Sequence, residues 1–183
     1  MDGHDHMFRQ RVAQRYSRSS LEKKRLWYCI LFHYILFMVM LAKLAPSILD
    51  YFSIFILEIE ELEVPEPYLW EWIWLSSFAL SYFLLEAIKR NKINSLKCYI
   101  YGIILFGYLP LLYCIILWFG EVYTFLFSED YAEILDIVFW KTYPYGLLLY
   151  SFILLALQVH SFSMYFSYSL LVSWKTRSVR KND

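Results

Sequence analysis

The sequence offers almost nothing from which an active site could be assembled. Its apolar runs contain no paired acids, no His-x-x-x-His pair and no nucleophile elbow, and its five glycines form no phosphate-binding loop. Hydrolytic, metal-dependent and nucleotide-dependent chemistry therefore lack the residues they normally use, and no catalytic, cofactor-binding or metal-binding residue is assigned. The N-terminal "HDH" supplies two His and one Asp with no further ligand, too few for a metal site. Only three cysteines are present, and none falls where an outer loop would hold a disulfide. Asn-x-Ser/Thr acceptors are absent, so no N-glycan is expected. A cleavable signal peptide is missing too: the first apolar block is too long and no small-residue cleavage site follows it, so that block is expected to act as an uncleaved anchor.

Apolar surface, by contrast, is abundant: 60% of the residues are apolar or aromatic and 21% are aromatic, gathered in long blocks. Such blocks make an integral membrane protein. A bilayer core of about 30 Å takes roughly 20 helical residues. Four blocks meet that length. The first runs from Leu26 to Ala42, with Lys43 free to snorkel and the helix free to continue toward Pro46; the second is Tyr68 to Leu85, interrupted by Glu71; the third is Cys98 to Gly120. The fourth, Thr142 to Trp174, is uncharged for 33 residues, about 50 Å of helix, so part of it must leave the bilayer.

Cations near span ends stay on the cytoplasmic side, so the charges between blocks predict orientation. Residues 1–25 carry seven Lys or Arg, 86–97 four and the tail four, whereas the other two loops carry only Lys43 and Lys141. The acids run the other way, with Asp50, Glu58, Glu60, Glu61, Glu63 and Glu66 in one outer loop and Glu121, Glu129, Asp130, Glu133 and Asp136 in the other. A formal net charge of zero thus hides a molecule polarised across the membrane. The expected fold is all-α and polytopic: four transmembrane helices at about 26–46, 68–86, 98–120 and 144–165, both termini cytoplasmic. A basic segment 1–25 precedes the domain 26–174, a basic tail 175–183 follows it, acidic loops 47–67 and 121–143 face outward, and a basic loop 87–97 faces inward.

Cys29 and Cys98 lie at cytoplasmic span ends, where each is either S-acylated or a plain free thiol, and Cys114 lies deep in the third span. In "SEDYAEILDIVFW", Tyr131, Ile134, Leu135, Val138 and Phe139 recur at helical spacing opposite the acids, which predicts a short amphipathic surface helix. The run after the first span, "SILDYFSIFILEIEELEVPEP", reads either as another such helix or as a continuation of the first. Gly102, Gly107 and Pro110 predict a bend or local opening in the third span.

The most unusual polar residues are Gln158 and His160, inside "LLALQVHSFSMYF". With the fourth helix starting near Pro144, about 20 residues of core reach Met164, which places both in the last turn and a half before the cytoplasmic interface. There they read as interhelical hydrogen-bonding residues, His160, Ser163 and Ser167 sharing one ridge that Ser77 and Ser81 of the second span would complement; a catalytic or ligand role is the competing reading.

"RVAQRY" before the first span, "AK" at its end, "PYLWEW" entering the second, "LPLLY" in the third and "QVHSFSMYFSYSLLVSW" in the fourth resemble the Jagunal family of four-span endoplasmic reticulum proteins. The similarity extends from Arg11 to Trp174, and Gln158, Val159, His160, Tyr165, Leu170, Leu171, Ser173 and Trp174 are its most specific part. The resemblance implies a multi-pass protein of the endoplasmic reticulum membrane that organises that membrane and supports vesicle transport in the early secretory pathway, with no enzyme activity, no cofactor and no nucleic-acid partner. It also implies a lysine-rich tail read by the coat of retrograde vesicles (COPI-type). Here the chain ends "RKND", with Lys181 third from the end but Arg180 in place of the second lysine; the tail is then a retrieval signal or a basic, lipid-facing segment. Cargo stays unassigned. The alternative function, from another class, is a small-molecule or lipid transporter or channel subunit that uses the third-span bend and the Gln158/His160 ridge.

Overall fold

A computed structural model of the chain describes residues 3–128 and 137–179. Helix α1 (Gly3–Tyr51) runs unbroken through Pro46, followed by the single turn α2 (Leu57–Glu60). The second block is helical from 69 to 90 but in three pieces: α3 (Leu69–Ser76), a 3-10 turn (Ser77–Ala79) and α4 (Leu80–Arg90). Asn91, left-handed at φ 54°, stops α4 and reverses the chain into α5 (Ile93–Gly102). A π-helical turn (Ile103–Tyr108) joins α5 to α6 (Leu109–Phe127), a two-residue hairpin of β1 (Phe139–Trp140) and β2 (Tyr143–Pro144) follows, and α7 (Tyr145–Val179) closes the fold. Three helical stretches are long and apolar enough to cross a membrane: Arg9–Tyr51, Ile93–Phe127 and Tyr145–Lys175.

The helices pack as an antiparallel up-down bundle whose register can be read from its cross-contacts. Along α1 and α7, Ser19 meets Trp174, Glu22 meets Ser169, His33 meets His160 and Lys43 meets Tyr145. The second helical stretch runs against α1 through Lys23–Asn91, His33–Ser77 and Lys43–Glu71. Two apolar clusters fill the interior. One, built on Leu36, Leu44, Trp74, Leu111, Trp118 and Ile153, lies toward the acidic end; the other, built on Leu26, Leu84, Leu96, Tyr99, Ile103 and Leu170, lies toward the basic end. Large apolar side chains cover the outside as well, among them Leu31, Met38, Tyr101, Ile116, Leu154 and Tyr165, all at least half exposed. A helix apolar on every face belongs in lipid.

Several expectations are corrected. The first helix does not end near Pro46; of the two readings of the segment after it, continuation holds as far as Tyr51. Lys43 does not snorkel outward, because Glu71 draws it into the bundle. The expected overshoot of the fourth helix, by contrast, is present: α7 continues past 165 to Val179, and its Trp174 end packs on α1 through Ser19 and Lys23. Val138 and Phe139 lead into the hairpin instead of ending a surface helix, and the rest of that expected helix, 129–136, lies outside the described residues. The opening expected near Gly102, Gly107 and Pro110 takes the form of the π-helical turn.

At the acidic end the two loops are clasped together. The Trp140 indole N–H donates to the carbonyl of Leu62 at 2.9 Å, and Lys141 Nζ donates to the carbonyl of Glu61 at 2.9 Å. Glu63 and Lys141 both take positive φ here, 48° and 55°, an uncommon conformation for residues other than glycine.

Candidate functional site at the middle of the bundle

The candidate site is a polar layer drawn from every helical stretch of the bundle. His33 from α1 shares a hydrogen bond of 3.1 Å between its Nε2 and Ser77 Oγ, at the head of the 3-10 turn. The Trp74 indole N–H donates to His160 Nε2 at 3.1 Å. The two imidazoles meet edge to face, with centroids 5.1 Å apart and planes at 88°, and the Tyr108 ring lies 5.9 Å from that of His160. His33 is 3% exposed and His160 1%, so water does not solvate either ring from outside.

Local sequence explains why these groups reach one another. Both breaks in helical regularity, the 3-10 turn at Ser77–Ala79 and the π-helical turn at Ile103–Tyr108, lie at this level. Such turns shift the direction of neighbouring side chains and cluster at functional positions. Gly107 supplies the close approach: a Cβ there would lie 3.0 Å from Ile103 Cδ1 and 3.2 Å from His160 Nε2. One turn toward the basic end the layer continues, as the Tyr99 hydroxyl and Ser163 Oγ share a short hydrogen bond; Tyr108 donates to Ser161 at 3.0 Å on the outer side.

This geometry moves His160 away from the depth expected for it. The charge-free stretches 26–42, 72–85, 98–120 and 142–174 have midpoints at 34, 78–79, 109 and 158, and His33, Ser77, Tyr108 and His160 each fall within two residues of them. The layer is therefore central and does not lie near the basic end. Counting from Pro144 misplaces His160 because α7 is longer than a bilayer, so its start does not fix its depth. Gln158 is corrected too: it is exposed, on the opposite side of α7 from the His160 ridge, and it bridges no helices among the described residues. Ser163 does bridge helices, though to Tyr99 and not to Ser77 or Ser81. Ser167 and Ser81 are buried, with hydroxyls unpartnered among the described residues. His33, Trp74, Tyr99 and Tyr108 also belong to the layer, and none of them is among its expected members. His33 carries the same signal as His160, a lone imidazole in an apolar run; the aromatics carry none, because many like them lie exposed on the outer face.

Chemically, the layer can hold helices together, and it leaves one group free to do more. With Nε2 of His160 accepting from Trp74, the neutral ring carries its proton on Nδ1, which has no partner among the described residues. The free thiols divide as well: Cys29 and Cys114 are buried, while Cys98 is exposed. No group of three His, Cys, Asp or Glu suited to a metal occurs among the described residues. Arg180 and Lys181 lie outside the described residues.

Apolar outer faces, three helices of membrane-crossing length and a buried polar layer define an α-helical membrane bundle. Comparison with known proteins narrows the class to one family. Over residues 1–178 the chain matches the family described as "Jagunal, ER re-organisation during oogenesis". It is 47% identical to Protein jagunal of Drosophila melanogaster over 182 residues, covering 98% of this chain and 92% of that protein. Protein jagunal homolog of Caenorhabditis elegans is 30% identical over 94% of this chain and 91% of its own length, and Protein jagunal homolog 1 of Homo sapiens 29% identical over 98% and 92%. The chain belongs to the Jagunal family.

Proposed function

We propose that this chain is a four-span protein of the endoplasmic reticulum membrane, with both termini cytoplasmic, that organises that membrane and supports vesicle transport in the early secretory pathway without catalysis. The observation that carries this reading is the family match over residues 1–178, whose description names re-organisation of the endoplasmic reticulum. The geometry is consistent with it: the central polar groups are spent largely on one another, as in a scaffold. Residues 69–90 serve as the fourth span, about 33 Å if fully helical, long enough for the core despite the 3-10 turn. Orientation follows the 15-to-2 division of Lys and Arg.

Contact with the vesicle coat is assigned to Arg180 and Lys181. A receptor-read signal fixes the distance of the Lys181 ammonium from the chain end, whereas a merely basic tail does not. A short C-terminal extension and Lys181→Ser should both increase leakage of the protein to the Golgi. Indifference to the extension, with leakage only when several charges are removed, would place retention in the bundle instead.

A transporter or channel subunit is the second reading, favoured by the helix breaks around His33 and His160. It requires a wetted route to these rings, both nearly fully buried. Depletion of the chain should disorder the reticulum and slow cargo exit, and rescue by a His160→Phe variant restored to normal abundance would count against transport through the layer.

A further inference from the structure

Helix α7 carries two seams of the same spacing, one packed inside the bundle and one facing outward. Ile153, Ala156, His160, Ser163, Ser167 and Leu170 follow one another at alternating steps of three and four residues, and each is at most 2% exposed. This inner seam is occupied by the chain itself: His160 meets Trp74 and His33, and Ser163 meets Tyr99. Two residues earlier at every step lie Ser151, Leu154, Gln158, Ser161, Tyr165 and Tyr168. A shift of two residues turns about 200° around a helix, so the second seam points away from the bundle. All six of its residues are exposed, Leu154 by 66% and Tyr165 and Tyr168 by 63% each. Alternating steps of three and four are the spacing at which one helix packs along another.

A wholly apolar outer seam needs no protein partner, because lipid tails are as apolar as leucine. Gln158 is different. It lies at the midpoint of the charge-free stretch 142–174 and two residues from His160 of the central layer, it is exposed, and its amide has no hydrogen-bond partner among the described residues. About 15 Å of hydrocarbon separates that depth from either interface, too far for a glutamine side chain to reach water. Lipid tails offer an amide neither donor nor acceptor, so its partner is a protein group from outside this chain.

We propose that the partner is Gln158 of a second copy: the outer seams of two α7 helices pack as a parallel pair, and the two amides hydrogen-bond to each other across a twofold axis. Copies inserted with the same topology share one depth scale, so a twofold axis along the bilayer normal sets each level of α7 against the same level of its partner. A residue at the midplane then meets itself. An amide is its own complement, each NH2 donating to the other carbonyl, whereas a carboxylate or an ammonium in this place would repel its twin. Ser151, two turns before Gln158, and Ser161, one turn after it, keep the seam narrow and let the backbones approach. Ser161 Oγ accepts from Tyr108 at 3.0 Å and so keeps its own hydrogen for a further acceptor. A single polar residue in an otherwise apolar seam also fixes the register of the pair. The proposal rests on α7 crossing the bilayer and not on the role in membrane organisation, so that role can fail without it.

The test uses the full chain, labelled at its N-terminus with donor or acceptor dye and reconstituted in phosphatidylcholine vesicles over a range of protein-to-lipid ratios. Energy transfer should rise with that ratio and fall when unlabelled chain competes. Gln158→Leu should weaken association about tenfold, the loss of two interhelical hydrogen bonds, whereas Gln158→Asn, which keeps an amide, should retain most of it. Because Gln158 faces outward, Gln158→Leu should leave the melting temperature of the detergent-solubilised monomer unchanged, which separates loss of pairing from loss of fold. A second measurement uses a Cys98→Ser background, free of the exposed thiol. There Tyr165→Cys, seven residues after Gln158 on the seam, should form an intermolecular disulfide on oxidation. Tyr82→Cys, 67% exposed on α4 and as far beyond Ser77 as Tyr165 is beyond His160, should not. A chain that stays monomeric at every ratio, undiminished pairing of Gln158→Leu, or equal cross-linking at the two cysteines would overturn the proposal. So would Gln158-dependent capture of a different membrane protein in cells without self-association in vesicles, which would give the seam to that partner.

Discussion

Trp74 and His160 are a donor and an acceptor that satisfy each other where nothing else can. Removing the imidazole strands the indole N–H in the core, whereas removing both partners strands nothing. His160→Phe should therefore cost about 1–3 kcal/mol, Trp74→Phe a similar amount, and the double variant less than their sum. Thermal or denaturant unfolding in detergent measures all three, and strict additivity would show that the bond contributes nothing. The same asymmetry is sharper at Lys43 and Glu71, where the stranded group is a charge. Either single change to Met should destabilise by about 3–5 kcal/mol, while Lys43→Met with Glu71→Met should regain most of the loss. Steady-state levels in cells, read by immunoblot, should follow the same order.

Among the elements, the π-helical turn shows how small residues set the bundle's geometry. Gly107 lets the third helical stretch approach His160, whereas a Cβ at Gly120 would meet nothing within 4 Å. Gly107→Ala should lower stability by about 1–3 kcal/mol through crowding against Ile103 and His160. Gly120→Ala, inside α6, should be neutral or stabilising by up to about 1 kcal/mol, since it only improves helix propensity. Equal melting temperatures for the two would remove the packing role of Gly107. Element-scale information was also where the sequence was most and least readable. Four apolar blocks stand out because a bilayer demands length and apolarity, and three became helices of spanning length. Which way a side chain points around its helix is another matter. Gln158 and His160 look alike in the string, yet they lie two residues apart and so about 200° around α7, one outside and one in the core. Lys43 and Glu71 each read as a charge at a span end, and nothing in either segment reveals that they face each other across a helix interface. The His33–Ser77 contact was hidden for the same reason: azimuth comes only from packing.

At the scale of the whole molecule, the charge asymmetry makes the proposed topology testable. Acceptor sites for N-glycosylation inserted beside Glu61 should be modified, and an acceptor inserted between Lys89 and Lys92 should not. A glycan at the second position would reverse the orientation. The clasp of Trp140 and Lys141 onto the carbonyls of Leu62 and Glu61 implies in addition that the two acidic loops move together, so a glycan large enough to separate them should also lower melting temperature.

The pairing of α1 with α7 has a consequence in time. Ser19 and Trp174 touch although 155 positions separate them, and Glu22 meets Ser169 across 147. At about 5–20 residues per second of synthesis, the first helix waits roughly 8 to 30 s for the partner that covers it. During that interval the faces bearing Glu22 and His33 have no α7 to meet, and Lys43 has no Tyr145 above it. The nascent chain therefore passes through a state in which these groups lack the neighbours they have in the finished bundle, a state that a membrane chaperone can hold. Truncation before α7 should expose that state permanently, and the bundle closes only once the last helix leaves the ribosome.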